Sequence, residues 1–294
     1  MKGVFAAVPT PVDAGGEPDL GRFLLHARWA LANGCDGLNV LGTTGEATSF
    51  SMRQRLAVMN AAAGGLDPAR LMVGTGAPDI QTTVDLTRAA EQAGFAGALV
   101  LPPYYYKAVA DDALFEWFAR LATATRRIAI HLYNFPQMTG IRLSPDLARR
   151  LKQAFGSRIA GAKDSSGDLA YAAELAKIPR FAVFPSDEGS LSLAGKHRFA
   201  GCISATVNLT APLAARLWRD PGNEALGAEV RAMRQAIAAH PMIPAVKYLL
   251  ARLHGDSGFV RVQPPHRPLD GAAKRALARI PGRGGRELRG IGGR

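Results

Sequence analysis

Ile159-Ala160-Gly161-Ala162-Lys163-Asp164-Ser165-Ser166-Gly167-Asp168 is a short apolar run that ends on a lysine and breaks into turn residues. An apolar run of about four to eight residues between turn formers reads as a strand buried on both faces. Comparable runs lie at residues 3–8, 37–41, 71–75, 98–101, 128–133, 181–185 and 201–205. With 159–163 they make eight, and successive starts are 20 to 34 residues apart, enough for strand, loop, helix and loop. The intervening stretches carry helical spacing. Leu56, Met59, Asn60 and Ala63 form one such set; Leu114, Trp117, Phe118 and Leu121 form another, behind the acidic pair Asp111-Asp112. The pattern predicts a (β/α)8 TIM barrel over residues 1–220, with a doubly wound open sheet as the alternative topology. Beyond it the strand pattern stops. Residues 224–239 and 244–253 read as helices, so 221–280 is expected to be a small C-terminal helical appendage.

Composition narrows the class. At 294 residues and 48% hydrophobic, the chain can bury a sizeable core. No apolar stretch approaches the ~18 residues that span a bilayer, and Met1-Lys2-Gly3-Val4-Phe5 does not open a secretion leader. A cytoplasmic protein with no membrane partner is expected. Cys35 and Cys202 lie in apolar surroundings and read as buried thiols; the six histidines show no metal-ligand spacing, so no metal site is expected. The net charge of +12 suggests nucleic acid until it is located. Residues 266–294 hold eight Lys/Arg against two Asp/Glu, which is half of the excess. The Gly/Arg-rich segment 281–294 has too little apolar content to fold alone and reads as a solvated, flexible tail, so no nucleic-acid partner is expected.

Barrel enzymes carry their chemistry at the carboxyl ends of the strands. Here Thr43 and Thr44, Tyr104 to Tyr106, Tyr133, Lys163 and Ser204 all fall there. Lys163 is the most telling, because the chain draws its positive charge from 28 arginines and only 8 lysines. A lysine kept at the mouth of a buried strand supplies an amine that can lose its proton and attack a carbonyl, which a guanidinium cannot. The plainer alternative is a strand-end lysine paired with Asp164. Strand alternation puts Ala129, His131 and Tyr133 on one face, and Ile159, Gly161 and Lys163 on another, with Gly161 leaving room below the lysine. His131 reads as a hydrogen-bonded core histidine. Gly42-Thr43-Thr44-Gly45-Glu46 reads as a turn opening a helix: a cradle for a carboxylate, a capping box from Thr43 to Glu46, or both. Lys247, in Pro244-Ala245-Val246-Lys247, reads as structural.

These motifs, together with Pro103-Tyr104-Tyr105-Tyr106, Tyr133-Asn134-Phe135-Pro136, Gly161-Ala162-Lys163-Asp164 and Gly201-Cys202-Ile203-Ser204-Ala205-Thr206, resemble the dihydrodipicolinate synthase/N-acetylneuraminate lyase family in order and spacing over about residues 3–280. The resemblance implies a class I aldolase acting on a small 2-oxo acid, with no metal or organic cofactor, because the lysine does the cofactor's work. Lys163 would form an imine with pyruvate, Tyr133 would relay protons through Thr43, and Thr43 and Thr44 would hold the pyruvate carboxylate. Ile203 would offer a backbone carbonyl. Tyr105 would come from a neighbouring subunit, which implies a homo-oligomer, dimer or tetramer.

The resemblance is weaker for the second substrate. The synthase pattern places an arginine where this chain has Met138, which cannot make a charged fork to a carboxylate. Ser165, Asp187 and Glu188 match positions that bind hydroxyls in sugar-acid lyases. The expectation is therefore a lyase of a 2-keto-3-deoxy sugar acid, similar to 2-keto-3-deoxygluconate aldolases. The alternatives are 4-hydroxy-tetrahydrodipicolinate synthase with aspartate semialdehyde, N-acetylneuraminate lyase, and a catalytically silent barrel that binds a 2-oxo acid. Retention of Lys163 and Tyr133 counts against the last.

Overall fold

A computed structural model describes residues 1–280 of the chain. Eight parallel strands alternate with helices: β1 (Gly3–Ala7), β2 (Gly37–Val40), β3 (Leu71–Gly74), β4 (Gly97–Val100), β5 (Ala129–Asn134), β6 (Ile159–Asp164), β7 (Ala182–Pro185) and β8 (Gly201–Ser204). The strands are ordered β7-β6-β5-β4-β3-β2-β1-β8. The backbone N–H of Ala200 donates to the Val183 carbonyl at 2.8 Å, bringing the two ends of this order together. The fold is the expected TIM barrel, not an open sheet. Each expected strand is present, with ends moved by a residue or so.

Two apolar layers follow from strand alternation. Leu38, Val40, Leu71, Val73, Ile130 and Ile159 face outward into the main core beneath the helices. Phe5, Met72, Phe184 and Ile203 fill the barrel interior. Between β5 and β6 the register slips: Ile130 pairs with Ile159, but His131 pairs with Gly161. The bulge at Ala160 breaks the expected alternation, so Ile159 lies in the outer core rather than sharing a face with Lys163. Gly161 is also reinterpreted. A Cβ there would lie 2.0 Å from the Ala182 carbonyl oxygen, so glycine lets β7 approach β6 and no room is left below the lysine.

The helix Met52–Gly65 starts at Ser51, whose side chain and Gln54 form a capping box. Its buried face is Arg55, Val58, Met59 and Ala62, displaced from the expected set; Asn60 is exposed. Asp111–Ala124 buries Leu114, Phe118 and Leu121 as expected. Past the barrel lie Glu224–Ala238 and Met242–His254, followed by Gly271–Ala278, which the sequence reading did not distinguish. Leu249, Leu250, Phe259 and Leu277 of this region share a second apolar cluster. Among the described residues no helix is long and apolar enough to cross a membrane. Cys35 and Cys202 are buried and unpaired. The expected tail at 281–294 lies outside the described residues.

Candidate active site

Lys163 ends β6 as a buried side chain, 4% exposed. Strand register sets Tyr133 of β5 directly beside it. The Lys163 Nζ lies 3.2 Å from the Tyr133 hydroxyl and 4.5 Å from the centre of its ring. The Tyr133 hydroxyl in turn lies 3.2 Å from Thr43 Oγ1. A chain of amine, phenol and hydroxyl results, which is the wiring a proton relay needs. Asp164 does not pair with the lysine. Its oxygens accept from Asn134 Nδ2 at 2.7 Å and Ser166 Oγ at 2.9 Å, and burial raises its carboxyl above the usual range. The strand-end ion pair considered from sequence is absent.

The loop that carries Thr43 is built differently from the expectation. Gly42 to Glu46 does not open a helix: a single 3-10 turn, Ala47–Ser49, intervenes before Met52–Gly65. Glu46 adopts a left-handed backbone, φ 54° and ψ 31°, and caps no helix by its side chain. It points inward to the fully buried Lys247, with which it forms an ion pair, and its Oε1 accepts from the Gln263 backbone N–H at 2.7 Å. Lys247 Nζ also donates to the Arg261 carbonyl at 2.8 Å. Burial lowers the Lys247 pKa, and Glu46 works against that shift. The structural reading of Lys247 stands, and its partner is the motif that carries the site.

Thr43, Thr44, Tyr133, Lys163, Ser165 and Ile203 line one cavity of about 400 Å³, together with Met138, Ser186, Arg234 and His266. Three other expected site residues are placed elsewhere. Tyr105 is 76% exposed and stacks edge-on against Tyr106. Asp187 accepts from the Gly189 N–H at 2.7 Å and lies 3.0 Å from Arg234 Nε. Glu188 is fully buried, accepting from Ser204 (2.6 Å), Thr206 (2.6 Å) and Thr210 (2.7 Å) hydroxyls and from Arg234 Nη1 (3.2 Å). Its lone pairs are occupied by the protein, so it is not presented to a ligand. His131 is a buried core residue, as expected, with no hydrogen-bond partner at Nδ1, and desolvation drives its pKa down to about 3.

Arg234 is a cavity residue that sequence reasoning missed, as are Ser186 and His266. A signal existed. Along Glu224–Ala238 the buried residues include Leu226, Val230 and Ile237, and Arg234 sits four past Val230 and three before Ile237. A charge on an apolar stripe marks a position where the fold holds a cation in place.

The chain is 30% identical over 264 residues to a 4-hydroxy-tetrahydrodipicolinate synthase from Mesorhizobium japonicum, covering 86% of this chain and 88% of that one. A solved dihydrodipicolinate synthase from Agrobacterium tumefaciens superposes with a TM-score of 0.87 at 31% identity, over 94% of this chain and 97% of the other. A prophage protein of the dihydrodipicolinic acid synthase family from E. coli, solved in complex with pyruvate, gives 0.87 at 26% identity, over 94% and 96%. The Dihydrodipicolinate synthetase family profile matches residues 1–280, spanning the lysine, the tyrosine and the threonine loop alike. With that match the chain belongs to the dihydrodipicolinate synthetase family, the class I aldolases that work through a lysine Schiff base with pyruvate.

Proposed function

We propose that this protein joins pyruvate to an aldehyde, or reverses that step, through an imine on Lys163. The observation that carries the reading is the succession of contacts from Lys163 Nζ to Tyr133 Oη to Thr43 Oγ1, 3.2 Å at each step, among residues that line one cavity. The free amine adds to the ketone of pyruvate, and the carbinolamine loses water to leave a protonated imine. That imine draws electrons from the methyl group, which gives up a proton and becomes the nucleophilic carbon of an enamine. Attack on the aldehyde forms the new carbon–carbon bond, and Tyr133 supplies the proton that the developing alkoxide takes up. Water then cleaves the imine and returns Lys163. Thr43 holds the Tyr133 hydroxyl in line, and with Thr44 it offers hydroxyls to the pyruvate carboxylate.

The names of the relatives favour 4-hydroxy-tetrahydrodipicolinate synthase, with aspartate semialdehyde as the aldehyde, over the sugar-acid lyase preferred from sequence. Cleavage of a 2-keto-3-deoxy sugar acid remains as a second reading on one observation: Met138, not an arginine, lines the cavity. In either reading Tyr105, exposed and not among the residues that line the cavity, is brought to Thr43 by a second copy, so the working unit is a homo-oligomer.

Borohydride reduction in the presence of pyruvate tests the imine. The reduced adduct is expected on the peptide that contains Lys163; no adduct, or one on Lys247, defeats the proposal. Comparing kcat/KM for aspartate semialdehyde and for 2-keto-3-deoxygluconate on the same preparation then chooses between the two readings.

A further inference from the structure

We infer that Arg234 recognises the aldehyde partner, with its Nη2 donating to an oxygen carried on that partner away from the reacting carbonyl. The inference rests on the imine reading and adds a residue from outside the barrel strands. Arg234 comes from the helix Glu224–Ala238, yet lines the same cavity as Lys163. Three of its four guanidinium-facing contacts are hydrogen bonds from one nitrogen: Nη1 lies 3.2 Å from Glu188 Oε2, 3.0 Å from Ser204 Oγ and 2.9 Å from Thr206 Oγ1. Nε lies 3.0 Å from Asp187 Oδ2. Nη2 makes no hydrogen bond to any of the described residues. Nη1 is therefore fastened by buried acceptors and Nε by the partly exposed Asp187, while Nη2 is left with donors to spare.

This arrangement suits recognition better than stability. The side chain is 18% exposed, so its contacts are largely shielded from water, and its conformation is fixed before a ligand arrives. Glu188 is consumed by four donors and acts as the counter-charge that holds the guanidinium, which explains why it does not reach the cavity. Met138, which lines the same cavity, has no charge to offer. A cation is still present, supplied from a different part of the chain. The partner it suits is a short aldehyde bearing a carboxylate or hydroxyl oxygen, and the carboxylate is the acceptor in the synthase reading.

The test uses the whole protein with saturating pyruvate and three aldehydes: propanal, with no such oxygen; glyceraldehyde, with hydroxyls; and succinic semialdehyde, with a carboxylate. For an aldehyde that is not turned over, its inhibition of pyruvate trapping gives the ranking. The unmodified protein is expected to prefer an oxygen-bearing aldehyde to propanal, and whichever arm is preferred identifies the oxygen. The double variant Arg234→Gln/Glu188→Gln leaves no uncompensated buried charge. It is expected to lose about ten- to a hundredfold of that preference, the factor for one charge-assisted hydrogen bond, while borohydride still traps pyruvate on Lys163. Arg234→Lys keeps the charge beside Glu188 but not the fork, and is expected to lose preference in the same direction with folding retained. Equal use of propanal by the unmodified protein overturns the inference, as does an unchanged preference in Arg234→Lys or in the trapping-competent double variant. Failure of pyruvate trapping in the unmodified protein defeats the imine reading instead, which separates the two.

Discussion

The Tyr133 hydroxyl lies midway between two partners, 3.2 Å from Lys163 Nζ and 3.2 Å from Thr43 Oγ1. Tyr133 and Lys163 are register partners on adjacent strands, so backbone hydrogen bonding of the barrel itself sets their spacing. Both are nearly fully buried, which keeps the pair from being solvated apart.

Replacing Tyr133 with phenylalanine keeps the ring beside Lys163 and removes the hydroxyl. Pyruvate trapping on Lys163 is expected to survive at least in part, while kcat falls by about 10² to 10⁴, the usual worth of a positioned acid–base group. A folded variant with near-normal kcat would remove Tyr133 from the proton relay.

Met138→Arg is expected to shift selectivity toward aldehydes that carry a carboxylate. A fully desolvated charge-assisted contact is worth roughly 1.5–3 kcal/mol. Met138 is 64% exposed, so a guanidinium there is partly screened and the low end, about tenfold in relative kcat/KM, is anticipated. The ratio of rates for succinic semialdehyde and propanal reads it directly.

Breaking the Glu46–Lys247 pair from one side leaves the other charge buried and uncompensated. Lys247→Met or Glu46→Gln alone is expected to cost about 3–5 kcal/mol, whereas the double variant recovers much of the loss. The urea midpoints of the three proteins measure this, and additive losses would show that the pair is not coupled.

Acid stability follows from two buried histidines. His26 and His131 are each pushed down by desolvation to about 3, from 6.5 when exposed. Between those pH values the unfolded chain binds more protons than the folded one, so stability falls as pH falls from 6.5 toward 3. The slope is about 1.4 kcal/mol per pH unit for each histidine. His131→Gln is expected to flatten the dependence of the urea midpoint on pH over that interval; an unaltered slope would mean that His131 takes up its proton alike in the folded and unfolded states.

The barrel was legible because each strand is a short apolar run between glycine, proline or polar breaks, a local signal. Lys163, Tyr133 and Thr43 were legible for the same reason, since strand ends converge in this fold. The bulge at Ala160 was not, because register depends on how β5 and β6 pair rather than on either sequence alone. Nor was the fate of Glu188, whose partners Ser204, Thr206, Thr210 and Arg234 lie 16 to 46 residues away. Sequence spacing marks a carboxylate near a site, but only the packed chain reveals that serine, threonine and arginine have already claimed it.

Lys247 reaches back 201 positions along the chain to Glu46, which is the last residue of the loop that carries Thr43 and Thr44. During synthesis the strands of the barrel leave the ribosome before the helix that bears Lys247. Until that helix arrives, Glu46 has no counter-ion with which to enter the interior, and burying it alone would cost several kcal/mol. A nascent chain that stops at the end of the barrel therefore holds Lys163 and Tyr133 but not the threonine loop in its working shape. At the usual ~5–20 residues per second, the pyruvate end of the site is completed some seconds after the strands that surround it have been made.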